Sequence, residues 1–228
     1  MAILPLESEY MMSLPLITRF NDGVNDVTKN VGTHGGNAVF GNGAGSYKPE
    51  MRYPRGVKFQ SLNRNMHIVD SVNNDYNFDG SEDWFVSCMM RTSIPLGSLI
   101  QRRTGAGGWV MLISNGLANF FLESGAVGIS LLSSTYIADG AFHEVLFAWR
   151  ASDRTRRVYV DGKLEAVSAP YLHNYSQEGL NMFMGTNQSL TQDFVGDALF
   201  HRVGKFEPTD EQIALMYERD LLRLNSKT

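Results

Sequence analysis

Apolar residues in this chain come in short runs, broken again and again by Gly, Asn, Asp and Pro. That rhythm predicts strands joined by turns rather than long helices. The clearest segment is Phe142–Arg150. There Val145, Phe147 and Trp149 fall on one face and Glu144, Leu146 and Ala148 on the other. Trp84–Met90 (WFVSCMM) is almost wholly apolar and reads as a buried strand. Further strands are expected at Leu14–Phe20, Gly56–Phe59, Met66–Val69, Ser98–Arg102, Trp109–Ser114, Ala118–Leu122, Val127–Leu132, Leu180–Gly185 and Ala198–Val203. Arg157–Val160 runs into Asp161-Gly162, a two-residue hairpin signal, and Lys163–Val167 returns. One helix is expected, over residues 209–222. Thr209 supplies the N-cap and Gln212 the other half of a capping box, while Ile213, Met216, Tyr217 and Leu221 form one apolar stripe. Many short strands and one terminal helix predict an all-β sandwich with a helix packed on it.

Composition narrows the function. The 228 residues carry 20 Lys+Arg and 24 Asp+Glu, a formal charge of −4, which supplies no basic field for a nucleic-acid backbone. Arg102-Arg103 and the group Arg154, Arg156 and Arg157 are read as small basic groups, the latter as a solvated turn. Cys88 stands alone, so no disulfide within the chain and no cysteine zinc site is expected. The first residues, MAILPLESEYMM, have no Lys or Arg before the apolar positions, and Glu7 and Glu9 interrupt them. No secretory signal and no membrane span are therefore expected, and the product is expected to be made in the cytoplasm. Residues 1–13 are read as an arm, with Pro5 and Pro15 barring a continuous helix, and residues 14–228 as a single domain.

The stretch DGAFHEVLFAWRASDRTRRVYVDGKLEA, Asp139 to Ala166, resembles the laminin-G-like, concanavalin A-like lectin-glucanase jelly-roll superfamily. Phe142, His143 and Val145 match that family's aromatic-His-x-Val strand, with Phe where Trp is commoner. Tyr159, Val160, Asp161, Gly162 and Lys163 match its Tyr-Val-Asp-Gly-Lys ending. The resemblance extends over roughly Leu14 to Leu222. It implies a concanavalin A-like jelly-roll β-sandwich with a short C-terminal α-helix, but not one function, because this fold carries lectins, glycanases, adhesion modules and virion proteins.

Glucanases of this fold carry a Glu-x-Asp-x-x-Glu strand, which is absent, and Asp79, Glu82 and Asp83 read as an acidic turn. No catalytic residue is assigned, and no enzyme is expected. Relatives of this fold hold calcium through Asp, Asn and Gln oxygens, which puts Asn187, Gln188, Gln192 and Asp193 forward as a calcium set, with an ordinary polar loop as the alternative. The five histidines have no ligand spacing. His143 is read as structural and His201 as a packing residue. Tyr171, His173, Asn174 and Tyr175 combine aromatic faces with an amide, which suits sugar stacking or protein contact, and a plain rim loop is the alternative.

A self-contained, cysteine-poor sandwich without a leader has the profile of a bacteriophage virion component, a capsid decoration protein or a tail adhesin. Its expected partners are other virion proteins, met through the arm, copies of itself in a homo-oligomer, and host-surface glycan. The alternative is a lectin-like carbohydrate-binding module, with calcium as its possible cofactor.

Overall fold

The computed structural model describes residues 12–14, 27–28, 38–40, 50–51, 57–59, 66–68, 78–104, 107–124, 127–172, 180, 182–186 and 192–225. Residues 1–11 of the expected arm and 15–20 of the expected strand Leu14–Phe20 lie outside the described residues. Within them the strands are β1 (Met12–Leu14), β2 (Val27–Thr28), β3 (Ala38–Phe40), β4 (Glu50–Met51), β5 (Val57–Phe59), β6 (Met66–Ile68), β7 (Trp84–Arg91), β8 (Leu96–Thr104), β9 (Gly107–Ser114), β10 (Leu117–Ser124), β11 (Val127–Tyr136), β12 (Phe142–Arg150), β13 (Thr155–Val160), β14 (Lys163–Val167), β15 (Met182–Met184) and β16 (Gly196–Gly204). One helix follows, α1 (Asp210–Asn225).

The strands form two sheets. The first runs β14-β13-β12-β7-β16-β5-β4, with β1 also paired to β16. The second runs β11-β10-β9-β8-β15-β6-β3-β2. All these pairings are antiparallel. The architecture is the expected β-sandwich with a C-terminal helix.

The core lies between the sheets because β7, β12 and β13 turn alternate residues inward against β8, β9 and β10. Val86, Cys88, Met90, Val145, Phe147, Trp149 and Val158 meet Ile100, Trp109, Met111, Phe120 and Leu122 in one buried cluster. Phe120 stacks on Phe147 across the gap at 4.9 Å, and Phe78 stacks on Trp84 at 4.7 Å. Each such ring contributes on the order of 2–3 kcal/mol of burial.

The outer face of the first sheet is buried as well. Phe85, Leu146, Ala148 and Tyr159 pack under Ile213 and Met216 of α1. The helix begins where expected: Gln212 N–H donates to Thr209 Oγ1 (3.2 Å), and Thr209 N–H donates to Gln212 Oε1 (2.9 Å). It ends three residues later than expected. The Asp161-Gly162 hairpin is also in place, with φ of 51° and 74° at its two central residues, both in the left-handed region that such a turn requires.

One expectation is corrected. Arg156 is not in a solvated turn but 3 % exposed, turned inward from β13. Its Nη1 donates to Ile129 O (2.7 Å) and Phe120 O (3.3 Å) of the second sheet. Arg157 is ion-paired with Asp153 and Glu207.

Candidate functional site

Among the described residues no helix lies on the outer face of the second sheet, and strand register assigns its residues. Four cross-strand rows run over β8, β9, β10 and β11: Leu96–Ser114–Leu117–Tyr136, Ser98–Leu112–Asn119–Leu132, Gln101–Val110–Phe121–Ser130, and Arg103–Gly108–Glu123–Gly128. Directly paired residues project to the same side, so each row shares a face. The rows between them, such as Ile100–Met111–Phe120–Leu131, supply the core.

This face is graded from covered to open. Ser98, Gln101, Val110 and Asn119 are buried, whereas Leu96 (54 %), Tyr136 (51 %) and Leu132 (43 %) are exposed. Ser98 Oγ, Gln101 Nε2 and Asn119 Oδ1 are buried with no hydrogen-bond partner among the described residues. Asn119 Nδ2 donates to the hydroxyl of the exposed Ser130 (3.1 Å). The open end of this face, with Leu132, Tyr136 and the Ser130 hydroxyl, suits recognition of a polyhydroxylated or peptide ligand by contact rather than chemistry at a reacting atom.

The edge of this face is closed. Glu165 of β14 accepts the backbone N–H of Ser134 (2.9 Å) and of Thr135 (2.9 Å) and both their hydroxyls, that of Ser134 at 3.2 Å. Burial pushes the Glu165 carboxyl up, and these bonds more than offset it, leaving it below its ordinary value. Together with Arg156 on Ile129 O, this occupies outward groups of β11, so the edge is not an open template for another strand.

Two ionisable clusters sit on the first sheet. His143 is bonded at Nδ1 to Asp161 (2.8 Å) and at Nε2 to Asp139 (3.2 Å), the structural role expected of it, and the Asp161 bond raises its pKa. Under α1, Arg202 donates to both oxygens of Asp220 (2.6 and 2.8 Å), with Glu144 Oε1 3.7 Å from the same guanidinium. His201 is buried, neither ring nitrogen has a hydrogen-bond partner among the described residues, and burial pushes its pKa down to about 4.

The residues put forward from sequence are placed as follows. Tyr171 is half-buried, and its N–H donates to Arg154 O (2.9 Å). His173, Asn174, Tyr175, Asn187 and Gln188 lie outside the described residues. Gln192 is exposed, and its carbonyl accepts Ser98 N–H (3.0 Å). Asp193 is buried and accepts the Thr186 hydroxyl (2.5 Å). Among the described residues no group of three His, Cys, Asp or Glu side chains is arranged to hold a metal ion, and no helix is long and apolar enough to cross a membrane. Asp83 of the acidic turn accepts Ala151 N–H (2.8 Å). Sequence reasoning missed Arg103, Phe121, Ser130 and Tyr136 as face residues. The alternation in Leu117–Ser124 was the available signal, but only register joins it to β8 and β11.

No family model and no curated protein matches the chain. Solved structures do. The binding domain of botulinum neurotoxin serotype D superposes with a TM-score of 0.71 at 16 % identity, over 95 % of this chain and 53 % of that one. The chain shares its fold with about half of that toxin binding domain. The binding domain of botulinum neurotoxin DC matches in complex with rat synaptotagmin II (TM-score 0.70, 13 % identity, 94 % and 52 % covered). It also matches in complex with SialylT (TM-score 0.70, 14 % identity, 93 % and 52 % covered). The chain spans about half the length of these structures, and at such identities the likeness is one of fold.

Proposed function

We propose that this chain is a non-enzymatic attachment domain that holds its carrier to a surface receptor through the outer face of the second sheet. The observation that carries this is the asymmetry of the sandwich. On the outer face of the first sheet α1 covers Phe85, Leu146, Ala148 and Tyr159 and, among the described apolar residues, leaves only Leu164 and Val167 of the edge strand β14 exposed, while the opposite face ends in exposed Leu96, Leu132 and Tyr136 beside the exposed Ser130 hydroxyl. Patches of this kind mark binding surfaces. The neighbours sharing the fold are binding domains, and one is held with rat synaptotagmin II and with SialylT, which supports attachment over catalysis. The carrier we propose is the virion adhesin expected from the sequence, and the receptor class is host-surface glycan. The test is cell and glycan-array binding by the full chain against Tyr136→Ala/Leu132→Ser. Capture of the full chain, lost in the variant at unchanged melting temperature, is expected. Capture that survives the double substitution would move the site off this face.

A further inference from the structure

We infer that Arg103 and Phe121 form a subsite for the carboxylate of an acidic sugar on this same face, an inference that rests on the attachment reading. The subsite is built from two glycines. Arg103 crosses β9 at Gly108, where an added Cβ would fall 2.3 Å from Arg102 O and 3.0 Å from Arg103 Cβ, and φ is +132°. Its guanidinium thereby reaches the Phe121 ring on β10, 5.0 Å from the centroid. Phe121 in turn lies across β11 at Gly128, where a Cβ would fall 2.3 Å from Cζ. The two side chains therefore lie flat on the sheet.

The guanidinium is held from one side only. Its Nε is paired with Glu123, itself 13 % exposed, while Arg103 is 29 % exposed. Neither Nη atom has a partner among the described residues, so the forked end is left to solvent with its orientation already fixed. A planar fork held from behind is the geometry that accepts a carboxylate through two parallel bonds, with the ordering cost met before the ligand arrives. Arg91 shows the contrast. It too lies over a ring, Phe142 at 4.5 Å, but its Nε and Nη2 both go to Asp197, which uses up the fork. Beside Phe121, the paired Ser130 hydroxyl already accepts Asn119 Nδ2, so its proton is available for a sugar oxygen. Ring face, fork and hydroxyl together match a pyranose that carries a carboxylate, and a neutral sugar would leave the fork unused.

The test titrates the full chain with sialyllactose, with glucuronic acid and with neutral lactose, followed by ligand-observed NMR. Arg103→Lys keeps the charge and removes the fork, and Gly128→Val displaces the Phe121 ring. Melting temperature checks that both variants fold. The expected result is binding of at least one acid over lactose, weakened about tenfold or more by Arg103→Lys. Preference for sialyllactose or for glucuronic acid identifies which acidic sugar the subsite takes. Equal binding of acidic and neutral sugars, or Arg103→Lys without effect, overturns the subsite but leaves the attachment domain standing. Capture of no glycan and no cell overturns both.

Discussion

Glu144 projects from β12 into the layer beneath α1 and is 2 % exposed, yet neither of its carboxylate oxygens accepts a hydrogen bond from the described residues. Its nearest cation, Arg202 of β16, is committed to Asp220 of the helix. Burial pushes the Glu144 carboxyl up, the Asp220 carboxylate pushes it further, Arg202 and Arg219 pull it down, and Asp161 adds to the rise, leaving it at about 8. Tyr217 of α1 faces the same group. At neutral pH the native protein therefore holds Glu144 protonated. The unfolded chain releases that proton near the ordinary value of 4.5.

The sign follows from proton uptake. Between 4.5 and about 8 the native state binds the proton and the unfolded state does not, so stability falls as pH rises through that window. Below it both states are protonated and the effect vanishes. The full interval corresponds to roughly 5 kcal/mol at 1.4 kcal/mol per pH unit. Local relaxation and water entry around the buried carboxyl bring the expected figure to about 2–4 kcal/mol. Glu144→Gln keeps the shape and removes the titration. The variant should match the wild type at about pH 4 and exceed it increasingly toward about pH 8. For a chain of this size the difference in melting temperature should reach about 5–15 °C. Calorimetry of both proteins across that range measures it. Melting curves that stay parallel from acid to alkaline pH would refute a buried, protonated Glu144.

Three further outcomes are expected. Glu165→Ala strips the partner from two backbone amides and two hydroxyls of β11 and should cost about 2 kcal/mol in urea unfolding, with faster hydrogen exchange at Ser134 and Thr135; unchanged exchange would refute the clamp. Gly162→Val places a β-branched residue at φ +74°, 3.0 Å from Ala214 Cα and 3.2 Å from Tyr217 Cβ, and should cost about 3 kcal/mol; an unchanged melting temperature would mean α1 does not pack on the turn. His201 is neutral in the fold, so stability should fall as pH drops from 6.5 to about 4, by about 3 kcal/mol, and a His201→Gln protein that loses as much over that window would assign the loss to another group.

The sequence showed the strands whose periodicity is strong and the turns whose chemistry is local. Phe142–Arg150 has the bounds expected, because Trp149 and Val145 alternate cleanly and turn residues close both ends. Asp161-Gly162 and Thr209/Gln212 depend on a few adjacent residues and were equally legible. Arg156 was misread because charge in a turn-rich stretch suggests solvent, whereas strand parity turns it inward at an edge where two carbonyls await a donor. The open face was illegible for a different reason. Joining Arg103 to Glu123 and Phe121 needs the register of β8, β9 and β10, and irregularities at Ser98/Ile100 and at Leu117/Asn119 break any count along the chain.

The two outer faces differ because their strands differ. β7 and β12 are buried on both sides through nearly their whole length, so the first sheet must find a cover, and α1 supplies Ile213 and Met216 to it. β11 instead alternates exposed and covered positions, as a strand with one face toward water does. A receptor could in principle meet such a strand by its edge or by its face. The edge is answered by Glu165 on the amides of Ser134 and Thr135 and by Arg156 on the carbonyl of Ile129. Recognition by strand addition reads mainly backbone and tolerates many sequences. Closing the edge leaves recognition to side chains on the face, where a few groups of fixed orientation decide what is bound. That is the arrangement in which replacing one guanidinium by an ammonium of equal charge changes specificity, and an attachment domain that worked through its strand edge would not notice the exchange.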